Sequence, residues 1–210
     1  MRVANAHGGV WEALLYVRPL RFRVAWGGQL DTLVGDGQVW RLFTSPWLHH
    51  GALHLVLNVI GIWSIGRLLE PWVGGLRLLS WGLAAGVAGS WASHLAGIRY
   101  TDGASGVAFG LLGAAVILGR RRVAEADTEG PWWQQERWWL ARGLALLLAV
   151  SLVSGIVLPF LNVVAHAAGA AVGLGGAAGY RAPNRAGTAL HAAWVVANFG
   201  VLTWAFLVRG

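Results

Sequence analysis

Two short segments carry the residues best suited to covalent chemistry. The sequence Gly-Ala-Ser-Gly at 103–106 begins one apolar stretch, and Ala-His-Ala-Ala-Gly at 165–169 lies inside another. A serine whose proton a histidine can accept is the minimal apparatus for cleaving an acyl bond. Strongly polar groups are costly in a membrane span, so each one found there is a candidate functional residue. Ser105 and His166 are therefore candidates for a nucleophile and its general base.

The elements that must position these residues are apolar helices. Of the 210 residues, 56% are hydrophobic and 12% are charged, about half the charged fraction of a soluble domain. Backbone groups must be satisfied inside a bilayer, so apolar stretches of about 20 residues predict membrane-spanning helices. Six such stretches recur, at 53–69, 76–97, 104–119, 138–161, 163–180 and 189–208. The composition predicts an all-α, polytopic membrane protein with six transmembrane helices.

The charge pattern indicates how the chain lies in the membrane. All 16 basic residues are arginine and the formal net charge is +7, an excess that indicates membrane orientation and not nucleic-acid binding. Arginines occur in alternate links between the spans, at 67–77, 120–122 and 181–185, so these links are expected on the cytoplasmic side. Ser105 and His166 then lie toward the extracytoplasmic ends of their helices. Cysteine is absent, which excludes disulfides and thiolate zinc sites.

Three polar residues are predicted to lie at one depth. From Ser105 to the arginines that follow its span is 15 residues, and the same interval follows His166; each corresponds to about 22 Å of helix. His54 precedes Glu70, at the end of the first span, by 16 residues. Three helices of the same direction thus bring polar groups to a common level.

Small residues beside the two candidates predict close packing of their helices. Gly106 and Gly110 follow Ser105, and Gly169 and Gly173 follow His166. Small residues four apart allow transmembrane backbones to approach closely. A serine side chain is short, so it needs such an approach to reach an imidazole.

Taken alone, Gly-x-Ser-Gly is a weak motif, but it stands within a longer pattern. The sequence Trp-Arg-Leu-Phe-Thr at 40–44 leads into His-His-Gly-Ala-Leu-His-Leu-Val-Leu-Asn at 49–58, and Gly-Arg-Leu-Leu-Glu follows at 66–70. Together with segments 103–106 and 165–169, this pattern closely resembles the rhomboid family of intramembrane serine proteases. The resemblance runs from about residue 36 to residue 180, with the motifs in the family's order.

The resemblance implies roles for individual residues. Ser105 would be the nucleophile and His166 its general base, with no cofactor and no metal ion. His54 and Asn58, four apart on one helix face, match the residues that stabilise the oxyanion together with the backbone N–H of Ser105. Asn58 has an alternative role as an interhelical hydrogen bond. No acidic residue stands in these spans to orient His166, so a Ser–His dyad is expected instead of a triad.

Six further residues match supporting positions of the family. Phe109, one turn after Ser105, matches a position where the family places an aromatic ring against the histidine. The others surround the serine turn, precede the His54 helix or belong to the membrane-embedded loop before it: Gly103, Gly106, His49, Trp40 and Arg41.

The predicted organisation is a single rhomboid-like membrane domain over 1–210, with a catalytic core at 36–180 and an additional C-terminal transmembrane helix at 189–208. Segment 1–35 departs from the family pattern. The six-helix members of the family have a transmembrane helix in this region, and in this chain that helix is expected to be short or truncated. The expected location is the cell membrane, with the active site open to the extracytoplasmic side. The expected partners are the lipid bilayer and transmembrane protein substrates, and the sequence indicates no oligomeric state.

Two other classes of protein share parts of the pattern. A catalytically inactive rhomboid-like protein would bind membrane clients without cutting them, but the intact Ser105 and His166 argue against it. A transporter or metal site is the second alternative, because His50 and His54 have the spacing of metal ligands on a helix. No carboxylate or cysteine is expected to complete that set. Zinc dependence, tested with a chelator, would separate the metal site from the protease.

Overall fold

A computed structural model describes residues 19–125, 162–180 and 184–209, together with residues 145, 146, 149 and 153. In chain order, the elements of the described residues are α1 (Leu20–Ala25), β1 (Gln29–Leu30), α2 (Asp31–Gly35), α3 (Arg41–Thr44), a 3₁₀ turn (Ser45–Trp47), α4 (Ala52–Val73), α5 (Gly75–Leu95), β2 (Tyr100–Thr101), α6 (Ser105–Glu125), α7 (Val163–Ala178) and α8 (Arg185–Arg209).

Five of the six predicted spans are the helices α4 to α8. The predicted span 138–161 lies outside the described residues apart from four positions, and so does segment 1–18 of the N-terminal region. By length and apolar composition, α4 and the part Arg185–Leu207 of α8 are sufficient to cross a membrane, and α7 is a shorter apolar helix. The architecture of six transmembrane helices therefore stays a prediction.

Helices α4 and α8 present apolar side chains to their surroundings. Leu57 on α4 is 60% exposed and Leu207 on α8 is 73% exposed. The same surfaces include Leu53, Val56, Ile60, Trp63, Leu190, Val196, Trp204 and Phe206. Soluble monomers rarely expose apolar patches of this extent. These two faces have the composition expected of a surface in contact with lipid.

Helix α6 lies at the centre of the described bundle and packs against α4, α5 and α7. Its contact with α7 is the most extensive of any described pair. The half of the bundle away from Ser105 is held by an apolar cluster that includes Leu69, Trp81, Leu111, Ala115 and Ala177. The core thus fixes α6 and α7 relative to each other below the two candidate residues.

The residues before α4 form a layer of short elements that reaches across to the start of α6. Strands β1 and β2 pair antiparallel, with Gln29 opposite Thr101 and Leu30 opposite Tyr100. The described residues are otherwise mostly helical, as the sequence predicts, and these two short segments are extended because they satisfy each other's backbone groups. The pair ties the beginning of the described chain to the segment that enters α6.

Candidate active site

Ser105 and His166 lie in hydrogen-bond contact. Ser105 is the first residue of α6, and His166 lies in the first turn of α7. Ser105 Oγ and His166 Nε2 are 2.9 Å apart, within the range of about 2.6–3.2 Å required between a nucleophile and its base. Ser105 is half-buried and His166 is buried. The approach of these two residues, expected from the sequence, is present in the structure.

Backbone contact between α6 and α7 allows this short distance. A Cβ atom at Gly169 would meet the carbonyl oxygen of Gly106, and one at Gly173 would meet the carbonyl oxygen of Gly110. Any side chain at 169 or 173 would therefore force the helices apart. The predicted packing of small residues beside Ser105 and His166 agrees with this geometry.

The imidazole of His166 is oriented by packing. The Phe109 ring stacks on it, with ring centroids 4.1 Å apart and planes at 5°. His166 Nδ1 is buried and has no hydrogen-bond partner in the part of the chain that the structure describes. Stacking on one face and the Ser105 hydroxyl at Nε2 hold the ring in place. In many serine hydrolases a carboxylate performs this role.

Asn162 positions the helix that carries His166, a role that the sequence analysis missed. Its side-chain oxygen accepts a hydrogen bond from Ala165 N–H at 3.0 Å and so caps the N-terminus of α7. Its amide nitrogen donates to Ser93 Oγ at 2.8 Å and to Thr101 Oγ1 at 3.1 Å. Asparagine directly before an apolar run is a helix-start signal that could have identified it.

His54 lies against the turn that precedes Ser105. A Cβ atom at Gly103 would collide with the His54 ring, and Gly103 has φ +104°, which L side chains rarely adopt. Glycine is therefore required at 103 for two reasons. Asn58 is buried one turn after His54, and its amide donates to the His54 carbonyl oxygen at 2.9 Å. A side-chain amide has a second N–H to donate.

His49 supports the same turn and lies next to His54, with ring centroids 5.0 Å apart. Its Nε2 accepts a hydrogen bond from Ala104 N–H at 3.3 Å. Burial lowers the pKa of the His49 imidazole, which favours the neutral ring that can accept this bond. Gly103 N–H donates to the Ser45 carbonyl oxygen at 3.1 Å. The residues before α4 therefore accept hydrogen bonds from the backbone N–H groups of Gly103 and Ala104, the two residues that precede Ser105.

Trp40 and Arg41 lie in the layer of short elements before α4, where Arg41 begins α3. The buried Arg41 guanidinium donates to the carbonyl oxygens of Val24 and Gly28, at 2.6 and 2.8 Å, and to Gln38 Oε1 at 2.8 Å. Its Cζ lies 4.5 Å from the Trp40 ring centroid. These contacts hold the loop that in turn supports the serine turn.

One expectation about His50 and His54 is wrong. A carboxylate does accompany them. One oxygen of Asp102 and one nitrogen of each histidine all lie within 4.8 Å of one another. The sequence predicts that the two histidines share one helix, whereas His50 lies before α4 and Asp102 enters from the loop between β2 and α6.

Comparison with known families decides which family this fold and site represent. A model of the Rhomboid domain matches residues 36–182, more than half of the chain. The chain belongs to the rhomboid family. The resemblance drawn from the motifs is confirmed, and rhomboids are integral membrane proteins that generally act as intramembrane serine proteases.

Individual relatives include both proteases and an inactive protein. The chain is 41% identical to "Rhomboid protease GluP" of Bacillus subtilis over 102 residues, which cover 48% of this rhomboid and 20% of GluP. It is 28% identical to "Rhomboid protease GlpG" of an Enterobacter species over 142 residues, covering 65% and 46% of the two chains. It is 36% identical to "Inactive RHOMBOID-like protein 8" of Arabidopsis thaliana over 83 residues, covering 39% and 24%. The chain thus spans less than half the length of each of these relatives.

Proposed function

We propose that this rhomboid is an intramembrane serine endopeptidase that hydrolyses peptide bonds in or near the transmembrane segments of other membrane proteins. The observation that carries the proposal is the 2.9 Å separation of Ser105 Oγ and His166 Nε2. The relatives named as rhomboid proteases support the same activity. We assign Ser105 as the nucleophile and His166 as the general base.

The reaction would proceed through an acyl-enzyme. His166 Nε2 accepts the Ser105 hydroxyl proton as Oγ attacks the carbonyl carbon of the scissile peptide bond. The protonated imidazole then donates that proton to the leaving nitrogen, and the peptide bond breaks. A water molecule, deprotonated by the same imidazole, attacks the ester and releases the new carboxyl terminus together with free Ser105.

Three donors would stabilise the negative oxygen of the tetrahedral intermediates. Ser105 is the first residue of α6, so its N–H belongs to the helix-start donors that lack an intrahelical acceptor. The His54 ring packs on the turn before Ser105, and Asn58 lies on the same face of α4. Donors aimed at developing charge in a water-poor site are each worth about 3–4 kcal/mol.

An apolar cavity next to the serine turn supports access from the membrane. A space of about 460 Å³ lies among α4, α5, α6 and α8, and residues that line it include Trp47, Trp63, Ala104, Val107 and Asn198. Ala104 directly precedes the nucleophile. We assign this cavity as the place where an apolar substrate segment approaches Ser105.

The membrane arrangement is part of the proposal. Residues 1–210 form one membrane domain whose core is 36–180 and whose additional helix is 189–208. Its six spans would cross the cell membrane, with the arginine-rich links in the cytoplasm. The Ser105 side of the bundle would then open to the extracytoplasmic face.

The experiment is cleavage of a single-span reporter protein by the purified chain in liposomes. We expect Ser105→Ala and His166→Ala each to abolish nearly all turnover, and their combination to be little worse, because the two residues act as a unit. Ser64→Ala, an exposed serine on α4, serves as the matched control and should cleave as the parent chain does. Full cleavage by Ser105→Ala would falsify the assignment.

A second reagent separates the protease from an inactive client-binding rhomboid, which the identity to RHOMBOID-like protein 8 keeps as an alternative. Fluorophosphonates react with serines that a neighbouring base activates. We expect labelling of the parent chain and of Ser64→Ala, and none of Ser105→Ala or His166→Ala. A parent chain that neither cleaves nor becomes labelled would favour the client-binding function.

A further inference from the structure

Three metal-ligating side chains meet beside the proposed catalytic site. His50 Nδ1 and Asp102 Oδ1 are 3.6 Å apart. The His50 ring stacks on the His54 ring, with centroids 4.1 Å apart and planes at 25°. One ligand atom from each of the three residues falls within a group no wider than 4.8 Å. Ligand atoms bound to one tetrahedral zinc ion lie about 3.4 Å apart. Because the nitrogen lone pairs of an imidazole lie in its ring plane, the His50 ring must rotate out of its stack on His54 for the group to close on an ion.

Asp102 is already held in the orientation of a metal ligand. Its Oδ2 accepts hydrogen bonds from Arg23 Nη1 at 2.7 Å and from the Tyr100 hydroxyl at 3.1 Å. Its side chain is 6% exposed. These bonds direct the other oxygen, Oδ1, toward His50. Ligating carboxylates are commonly fixed by such outer hydrogen bonds.

The two imidazoles differ in a way that suits a site with an entrance. The His50 side chain is 42% exposed, so an ion can reach it from outside and the ring can rotate onto it. His54 Nδ1 is buried and has no hydrogen-bond partner among the residues that the structure describes. A buried polar atom without a partner is costly, and a metal ion would satisfy it.

We propose that His50, His54 and Asp102 form a binding site for a zinc-class divalent ion at the entrance of the Ser105–His166 site. Two imidazoles with one carboxylate favour zinc over calcium or magnesium, which prefer oxygen ligands. Three protein ligands leave a fourth position for water. The neighbouring His49 is not part of this group, and its Nε2 accepts the Ala104 N–H.

Occupancy of the site would inhibit proteolysis, a consequence that rests on the proposed function. Zinc bound at His54 Nδ1 would leave the Nε2–H in place. Closing the group on the ion would, however, draw the His54 ring toward His50 and Asp102 and move this donor away from the oxyanion. The ion would also stand directly before the Gly103 turn, against which the His54 ring packs. Zinc is therefore expected to act as a reversible inhibitor, and the zinc concentration outside the membrane would set the degree of inhibition.

Direct binding tests the site without reference to activity. The purified full chain in detergent is titrated with Co²⁺, whose visible absorption reports tetrahedral coordination, and Zn²⁺ is then measured by displacement of Co²⁺. We expect one ion per chain. We expect at least a tenfold loss of affinity in Asp102→Asn and in His50→Phe, the second of which keeps a flat ring to stack on His54.

Two further variants serve as controls for the binding measurement. Asp31→Asn disrupts another histidine–carboxylate pair, His94 Nδ1 with Asp31 Oδ1 at 2.6 Å, and should leave the affinity unchanged. Ser105→Ala should also bind normally, because the site does not need the nucleophile. Binding by His50→Phe as tight as by the parent chain would overturn the site, and so would the absence of stoichiometric binding.

The inhibition is measured as the ratio of reporter cleavage with Zn²⁺ to cleavage with EDTA, taken separately for each variant. We expect at least a tenfold reduction for the parent chain and a ratio near one for His50→Phe. Equal inhibition of both would show that zinc acts elsewhere and would overturn the inhibitory role. A parent chain inactive even in EDTA would refute the proposed function, while the Co²⁺ and Zn²⁺ titrations would still decide the metal site.

Discussion

Replacing Gly169 by alanine tests whether helix contact holds the dyad together. A Cβ atom at this position would lie 3.0 Å from the Gly106 carbonyl carbon and 3.1 Å from its Cα, and nearer still to the carbonyl oxygen. Unstrained carbon–carbon contacts begin at about 3.5 Å. Relief of the two carbon contacts alone therefore requires α6 and α7 to separate by about 0.5 Å at this level.

That separation acts directly on the serine and histidine, because Ser105 directly precedes Gly106 and His166 lies one turn before Gly169. Their distance of 2.9 Å would lengthen to about 3.4 Å, beyond the range in which a base accepts the proton efficiently. Misplacement of reacting groups by about 1 Å costs up to 100-fold in rate. We expect kcat for reporter cleavage to fall between about 10-fold and 100-fold, and the strain to destabilise the fold by about 1–3 kcal/mol.

Gly175→Ala is the matched control, because the same helix has open space around a Cβ atom at that position. This substitution should leave kcat unchanged and raise the thermal midpoint slightly, since alanine favours helix more than glycine. Reporter cleavage, fluorophosphonate labelling and thermal unfolding in detergent are measured on both variants. If Gly169→Ala labelled and cleaved as fast as Gly175→Ala, the contact between the helices would not be what positions Ser105 and His166.

Two other substitutions test the supports around the dyad. Asn162→Ala removes the cap of α7 and should lower the free energy of unfolding by about 1–2 kcal/mol and slow cleavage several-fold. Asn184→Ala, which uncaps α8, should leave the cleavage rate of the folded protein unchanged. Equal slowing of cleavage by both substitutions would contradict a positioning role for Asn162. Arg41→Ala removes the Arg41 donor from three acceptors, of which the Gly28 carbonyl oxygen is buried, and should lower the free energy of unfolding by about 1–3 kcal/mol. The loss is read as a lower thermal midpoint, with Arg21→Ala, an exposed arginine of α1, as the control that should not shift it.

The central pair was predictable because its signals are local. Ser105 and His166 each stand in a short motif, and the interval to the following arginines placed them at one depth. The glycines four apart beside each residue predicted the approach of their backbones, and steric exclusion of a Cβ at Gly169 agrees with that reasoning. Apolar stretches predicted helices, and the bounds of α4, α5 and α7 differ from the predicted bounds by only a few residues.

The rest depends on contacts between distant segments, which no local pattern encodes. Asp102 approaches His50 because Arg23, far away in sequence, fixes the other carboxylate oxygen. The pairing of β1 with β2 requires two extended segments of only two residues each, too short for a periodic signal. Helical spacing identified His50 and His54 as a potential ligand pair but could not show which loop residue would join them.

The serine turn has a consequence for the order in which this protein is assembled. Gly103 is bonded to Ser45, β2 is bonded to β1, and Ser105 reaches His166 across 61 residues. During synthesis, the N-terminal layer can meet the turn as soon as α6 begins to emerge, whereas the histidine arrives only with α7. Contacts of such long sequence separation form late in folding. Under the proposed function, a nascent chain that ends before Asn162 would have a formed serine turn but no general base, so a ribosome-bound rhomboid would not cut its neighbours in the membrane until its own bundle closes.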